Sequence, residues 1–530
     1  MYKLLVADNM ANEGLDVLKK YKDIEVDVKT GLPPEELSKI IGDYDALIVR
    51  SASQFKGEVL ENAKKMKVVG RAGAGVDNID VENASKKGIV VMNTPGGNSS
   101  AVAELTIALM LSLSRNIVQA AISLKNGKWE KKTLAKTSVE VAGKILGVLG
   151  AGNIGSIVAE RAVGLKMDVL VYDPFLTDDK ALKMGVKKVS SLDEIYTKSD
   201  YITLHLPKND QTINLINKDA ISKMKDGVFL INCARGGIIN QDDLLEALNS
   251  GKVKGAAIDV YEKEPVEPDN PLVLHPNVTC TPHLGASSVE AQINVAIAIA
   301  YQIGDYLTKG EIKNAVNAPN LDADTRKILE PYINLSQKIG SLYSQYIKSS
   351  IKEIEIKYEG NVVNYSTEPI TTSLLIGLLK NSVEGINYIN AQMTAKDMGI
   401  NITEIKKPES KDYTSTITLK AKHNEGKTLI KGAVFKEGMI RIVEIDDYTL
   451  DFSPEGNLLL TLNKDIPGFI GKIGTIIGEA GLNISNMELG RNKKIGKALS
   501  FIQIDNEIPD EIINKIAKID CLEKVYKIKI

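Results

Sequence analysis

The sequence predicts an α/β protein: two doubly wound parallel-sheet domains, one inserted in the other, with two smaller α+β modules behind them. Three observations carry this. Short apolar runs alternate with helix-compatible stretches across residues 1–282, the pattern of a parallel sheet with helices on both faces. The apolar run Ile145–Leu149 stops at Gly150, Gly152 and Gly155; a helical stretch and a second apolar run, Val169–Tyr172, follow. From about Gly456 the chain reads strand–helix–strand–strand–helix–strand, a ferredoxin-like order.

Within residues 1–97, KLLVAD, IEVDV, ALIVRS, KVVGRAG and IVVMNTP read as five strands, with helices at Met10–Tyr21 and Pro34–Ile41. Asn98–Arg115 reads as a polar N-cap and a long apolar helix, expected to be buried against another domain or subunit. From Gly143 to Pro282 the alternation runs again, with later strands in ITLHLP, VFLINCARGG, GAAIDVY and VTCTPHLG. The Ala-rich helix Val289–Leu307 is expected to return the chain to the first domain, making that domain discontinuous. Residues 315–325, AVNAPNLDADT, read as a linker. Residues 326–450 mix helices with β-rich runs such as KEIEIKYEG and YTSTITLKAKH and show no chemical motif. The predicted division is 1–97, 98–282, 283–318, 319–452 and 453–530.

Composition narrows the class. A chain of 530 residues exceeds what one core serves, and 43% hydrophobic with 25% charged residues is the balance of a soluble globular protein. A net charge of −2 without a basic run argues against a nucleic-acid partner. No stretch approaches the ~20 uninterrupted apolar residues of a membrane span. The opening MYKLLVADNM reads as a strand leading to Asp8 and not as a signal peptide. Cys233, Cys280 and Cys521 are scattered without metal-ligand spacing, as expected in a reducing cytoplasm.

The glycine turn points to a dinucleotide. Gly150 allows the sharp turn, Gly152 the close approach of a pyrophosphate, and Gly155 tight helix–strand packing. The helix N-terminus offers N–H groups to phosphates. Asp173, closing the second strand, is placed to accept hydrogen bonds from a ribose and to repel a 2′-phosphate, which favours NAD over NADP.

In an open parallel sheet, ligands bind beyond the carboxyl ends of the strands. Pro207, Arg235, Asp259, Glu264 and His283 close the later strands, and three of them form a chemical set. Hydride removal from a secondary alcohol requires a base for the hydroxyl proton, and histidine suits cellular pH. A carboxylate on its other ring nitrogen fixes the tautomer and raises its pKa. An arginine grips a substrate carboxylate and polarises the developing carbonyl. Each has an alternative: His283 as a helix cap, Glu264 as a solvated loop acid, Arg235 as a structural ion pair. Among four histidines, His205 sits at a strand end near the cofactor, His275 in a proline-flanked loop and His423 outside this region.

In that order, GxGxxG, Asp173, CARGG, EKEP and PHLGAS resemble the D-isomer-specific 2-hydroxyacid dehydrogenase family. ALIVRSAS, VVGRAGAGVDNID and MNTPGGNSSAVAEL extend the match over residues 1–315 and resemble its phosphoglycerate-oxidising branch. The resemblance implies a Rossmann-type cofactor domain inserted in a flavodoxin-like substrate domain. It implies NAD-dependent oxidation of 3-phosphoglycerate to 3-phosphohydroxypyruvate, the first step of the phosphorylated serine pathway. His283 would be the acid/base, Glu264 its orienting group and Arg235 a substrate ligand. Cofactor contacts would come from Asn153, Ile154, Asp173, Cys233, Ala234, Arg235, Asp259, His283, Leu284, Gly285 and Ala286. Ala74 departs from relatives, which often carry a hydroxyl there, and Leu206 replaces a common polar residue.

A phosphorylated three-carbon acid carries about three negative charges, too many for one arginine. Arg50 and Arg71 end strands at one edge of the first sheet; with Ser51 and Asn98 they form a candidate anion site, against an alternative of strand-end salt bridges. Lys131 is a further candidate, reaching a neighbouring subunit's cleft. NKDIPGFIGKIGTIIGEAGLNIS resembles an ACT domain, which implies an amino-acid site between paired modules, lined by Asn463, Asp465 and Asn483. L-serine is the expected effector and a homotetramer the expected assembly. The middle region resembles the intervening regulatory domain of the long form. Competing readings are a sister dehydrogenase for unphosphorylated hydroxy acids and a dinucleotide-sensing binding protein.

Overall fold

The apolar runs of the first 92 residues form parallel strands β1 (Tyr2–Val6), β2 (Ile24–Val28), β3 (Ala46–Val49), β4 (Val68–Arg71) and β5 (Val90–Met92), ordered β2-β1-β3-β4-β5. The computed structural model describes residues 1–318, 323–424 and 426–530. All four β3 residues are buried, because helices cover both faces of a parallel sheet. Helix Val289–Lys309 packs on one face through Val295, Ile299, Ala300, Ile303 and Leu307, beside Leu4, Val6 and Val68. Residues 1–97 and 289–318 thus form one lobe.

The second sheet comprises β6 (Ile145–Leu149), β7 (Asp168–Tyr172), β8 (Lys187–Lys188), β9 (Tyr201–Leu204), β10 (Val228–Asn232), β11 (Val253–Ile258) and β12 (Val278–Cys280), ordered β12-β11-β10-β9-β6-β7-β8. The two-residue β8 has no apolar run to announce it. Helix Ser99–Ser114 packs on this second sheet through Val102, Leu109 and Met110 beside Val148, Val158 and Ile231, so its apolar face is covered within the chain. Asn98 occupies the N-cap position, but its side chain makes no capping bond. The carboxyl ends of both sheets meet at one cleft.

Residues 315–318 are tied to the first lobe: Val316 N–H donates to the Val91 carbonyl (2.7 Å), and Asn317 bonds Val91, Ile89 and Ser85. The rest of the expected linker includes residues 319–322, which lie outside the described residues. Beyond it, β13 (Ile351–Gly360), β14 (Asn401–Lys407), β15 (Ser415–His423), β16 (Gly426–Val434), β17 (Ile440–Ile445) and β18 (Tyr448–Phe452) form a sheet ordered β14-β13-β15-β16-β17-β18. Only β13–β14 is parallel.

The last module has β19 (Asn457–Lys464), β20 (Ile484–Asn492), β21 (Lys497–Ile504) and β22 (Leu522–Lys529), ordered β20-β21-β19-β22 with antiparallel neighbours, as the βαββαβ pattern requires. Its helices cover one face. From the other, Leu458, Leu460, Leu499 and Phe501 enter the core of the preceding domain, where Phe452 and Phe501 stack at 3.9 Å between ring centroids. The two C-terminal domains therefore share one core. Among the described residues no single helix is long and apolar enough to cross a membrane.

Candidate active site

The glycine turn sits at the end of β6. Gly150 has φ +95°, a Cβ on Gly152 would meet nothing within 4 Å, and a Cβ on Gly155 would lie 1.9 Å from the Gly150 carbonyl oxygen. Helix Asn153–Gly164 starts there without a side-chain cap, leaving backbone N–H groups beside open space, a fit for a pyrophosphate. Asp173 accepts from the N–H groups of Ala151 and Phe175, both at 2.7 Å, which ties the acid at the end of β7 to the glycine turn. Ile154, Cys233, Ala234, Gly285 and Ala286 line the cleft. Leu284 is partly exposed beside them. Burial pushes the Cys233 thiol up to about 12, so it serves as a wall and not a nucleophile.

The cleft, about 1660 Å³ of open space, also holds Arg71, Asn98, Arg235, Glu264 and His283. His283 Nδ1 lies 2.7 Å from Glu264 Oε2. The glutamate in turn accepts from the Tyr261 N–H at 2.9 Å. Its hydrogen bond to Glu264 raises the His283 pKa, against burial and the nearby Arg235 charge. Burial alone would raise the Glu264 carboxyl, but the bonds from His283 and Tyr261 outweigh it and hold it below the ordinary range. An ionised Glu264 places the imidazole proton on Nδ1 and leaves Nε2 as the basic nitrogen. His283 is not the cap of the following helix: Ser288 is, accepting from the Ala291 N–H.

Asp259 is fully buried and accepts from Thr281 Oγ1 (2.6 Å) and from the N–H groups of Leu284 (2.7 Å) and Gly285 (2.9 Å). Its carboxylate thereby fixes the turn in which His283 takes φ +53°. His205 also lines the cleft, but burial pushes its pKa down to about 4, so it stays neutral at cellular pH.

On the opposite wall, Ser51 and Arg71 face the cleft. Asp8 holds the loop carrying Arg50 and Ser51, accepting from Arg50 N–H (2.6 Å) and Ser53 Oγ (2.7 Å). Neither Arg50 nor Arg71 has a carboxylate partner among the described residues; the Arg50 guanidinium donates to the Asn9 carbonyl. Burial, then the charges of Arg235 and Arg50, push the Arg71 pKa down. Its Nε and the Oδ1 of Asn98 are buried without hydrogen-bond partners. The salt-bridge alternative thus fails for both arginines. Lys131 lies on the short helix Lys131–Ala135, and is not among the residues lining this cleft.

Reading by motif missed Asp77 and Lys208, which also line the cleft. Asp77 lies inside VVGRAGAGVDNID, so its segment was visible and its role was not. In the last module, Asp465 pairs with Arg491 at 2.7 Å, and Asn483 donates to Asp505 at 2.8 Å. Asn463 is buried, with its Oδ1 unpartnered. β19 and β20 run in the same direction, with Asn463 in register through Ala498 with Arg491, and Asn457 through Ile504 with Ile484. Asn483 therefore lies at the opposite end of the sheet from Asn463 and Asp465, roughly 20 Å away. One module does not bring the three together.

Two nested α/β lobes, a glycine turn with its acid and a His–Glu pair facing arginine define a nicotinamide-dependent dehydrogenase of hydroxy acids. Residues 107–285 match the family model described as the NAD-binding domain of D-isomer specific 2-hydroxyacid dehydrogenases. Residues 328–446 match the D-3-phosphoglycerate dehydrogenase intervening domain, and 457–521 an ACT domain. A D-3-phosphoglycerate dehydrogenase of Synechocystis is 40% identical over 100% of this chain and 95% of its own length. That of Methanocaldococcus jannaschii is 40% identical, covering 100% of both. The chain belongs to the D-3-phosphoglycerate dehydrogenase family, NAD-dependent oxidoreductases. Among solved structures, an NAD-dependent formate dehydrogenase from Staphylococcus aureus in complex with NAD matches 60% of this chain and 100% of its own, at 29% identity and TM-score 0.54. A glyoxylate reductase from Paecilomyes thermophila covers 59% and 98% at 29% identity, TM-score 0.54.

Proposed function

We propose that the protein oxidises 3-phospho-D-glycerate to 3-phosphohydroxypyruvate with NAD, opening the phosphorylated route to L-serine. The observation that carries this reading is the His283–Glu264 pair in the same cleft as Arg235 and the unpaired Arg71. NAD supplies the hydride acceptor; Gly150, Gly152, Asn153, Ile154 and Gly155 would hold its pyrophosphate and Asp173 its ribose. His283 Nε2 takes the proton of the substrate hydroxyl, and Glu264 stabilises the imidazolium. Because His283 is 46% exposed, its proton passes on to solvent. Arg235 meets the substrate carboxylate and the developing carbonyl oxygen, while Arg71 and Arg50, with Ser51 and Asn98, take the phosphate. Measuring NADH production across a panel of phosphorylated and unphosphorylated hydroxy acids tests this. Faster turnover of glycolate, glycerate or lactate, the hydroxy acids of the sister dehydrogenases, would favour that reading.

Asp173→Ala weakens NAD binding and eases acceptance of NADP, since the charge that repels a 2′-phosphate is gone. Titration of both cofactors checks it; an unaltered protein that already prefers NADP contradicts the role given to Asp173.

L-serine binding at the last module, lowering activity, is the second part of the proposal. Asn463 and Asp465 from one module would meet Asn483 from another, and Arg491 offsets the negative charge of Asp465 beside a serine carboxylate. Such a site needs at least a dimer, and a tetramer satisfies it together with a second contact through the exposed Ile122, Leu124 and Trp129 (81% exposed). Lys131, close in sequence to that patch, would serve a neighbour's cleft. The three cysteines, all free, suit the cytoplasm. Serine must favour the less active arrangement by ~1–3 kcal/mol of coupling. A chain ending at Pro319 retains activity and loses serine inhibition, because the cores of the two N-terminal lobes draw their buried residues from 1–318. Inhibition that survives truncation, or no calorimetric serine binding by the intact protein, refutes it.

A further inference from the structure

One carboxylate in the cleft has no part in the reaction described above. Asp77 belongs to the first lobe, in the loop leaving β4, and its Oδ2 accepts from Arg235 Nε, 3.0 Å away on the second lobe. Among the described residues this is the one side-chain hydrogen bond that spans the two lobes. Arg235 Nη1 donates to the carbonyl of its neighbour Ala234 at 2.7 Å. Nη2 lies directly against the Asp77 loop, where a Cβ on Gly75 would stand 1.9 Å from it. Gly73 in the same loop accommodates the other guanidinium, since a Cβ there would stand 2.0 Å from Arg71 Nη1. The GRAGAGVD loop is thus shaped around both arginines.

We propose that Asp77 is a positioning residue: by holding Arg235 Nε across the cleft it aims the guanidinium at the substrate and keeps it in place against the repulsion of the neighbouring Arg71. The proposal rests on the reading of Arg235 as the ligand of the substrate carboxylate. A guanidinium is planar, so bonds at Nε and Nη1 fix the direction of Nη2, whose own N–H groups stay available. Without Asp77 the long side chain is held at one end only, and repulsion from Arg71 drives it away from where an anion would sit. Asp77 is 67% exposed, and an ion pair so open adds little to folding stability, so its worth lies in geometry.

The test is a double-mutant cycle in the full-length protein, reading kcat and KM for phosphoglycerate, NADH affinity by fluorescence and the thermal midpoint. Asp77→Ala is expected to lower kcat/KM by about 10- to 100-fold, the scale of a misplaced binding group, with NADH affinity and midpoint unchanged. Asp77→Asn keeps an acceptor oxygen and retains most activity. In an Arg235→Ala background, Asp77→Ala costs nothing further, because no guanidinium remains to be aimed. A loss that persists undiminished in that background overturns the proposal, as does an Asp77→Asn variant no better than Asp77→Ala. Near-normal activity of Arg235→Ala alone removes the reading of Arg235, and the proposal with it; the cycle separates that failure from the others.

Discussion

His283→Ala lowers kcat for phosphoglycerate oxidation by ~10²–10⁴, the usual worth of a positioned acid/base, while NADH still binds. The retained binding follows from the site's division: the glycine turn and Asp173 lie at β6 and β7, whereas His283 follows β12. Steady-state turnover with NADH fluorescence titration separates the two, and near-normal turnover removes His283 from the mechanism. The Glu264→Gln variant adds a pH signature. Oxidation needs the neutral imidazole, so activity rises as pH passes through the His283 pKa. That pKa is raised first by the hydrogen bond to Glu264. Replacing the carboxylate by an amide removes the bond to an anion and its charge, the pKa falls, and the onset of activity moves to lower pH. An unchanged profile would leave Glu264 as a loop acid only.

Arg71→Ala raises KM for phosphoglycerate by about 10- to 150-fold, the loss of one hydrogen-bonded charge pair, and changes KM for an unphosphorylated hydroxy acid far less. Arg71 sits largely buried at the end of β4, with Nε unpartnered and no ion pair; Asp77 and Asp8 favour its charge without touching it. With no carboxylate in contact to pair it, its guanidinium is available to an anionic ligand. Truncation is expected to leave the thermal midpoint unlowered, because it relieves the burial of a charge and repulsion from Arg235 and Arg50, against the weaker loss of attraction to Asp77 and Asp8. Comparing KM for the two substrates is decisive: equal effects mean that Arg71 grips the carboxylate common to both.

By itself the sequence determined the α/β class, the glycine turn with Asp173, the βαββαβ module and the residue types of a His–Glu–Arg set. These are legible because they depend on local order: apolar runs with breaks, glycines where backbone approaches backbone, and an acid at a strand end. The six-stranded sheet between Ile351 and Phe452 left little motif, since its antiparallel strands alternate apolar and charged residues and its core is completed by the following module. Local signals likewise do not reach across lobes. Only the tertiary structure placed Asp77 on Arg235, residues 158 apart in the chain, and turned Asp259 into the clamp of the His283 turn. It also separated Asn483 from Asn463 and Asp465, because strand direction, not sequence distance, decides which ends of a sheet coincide. Register and lobe packing arise from non-local contacts, and those are formed by the fold, not written in any one stretch of the chain.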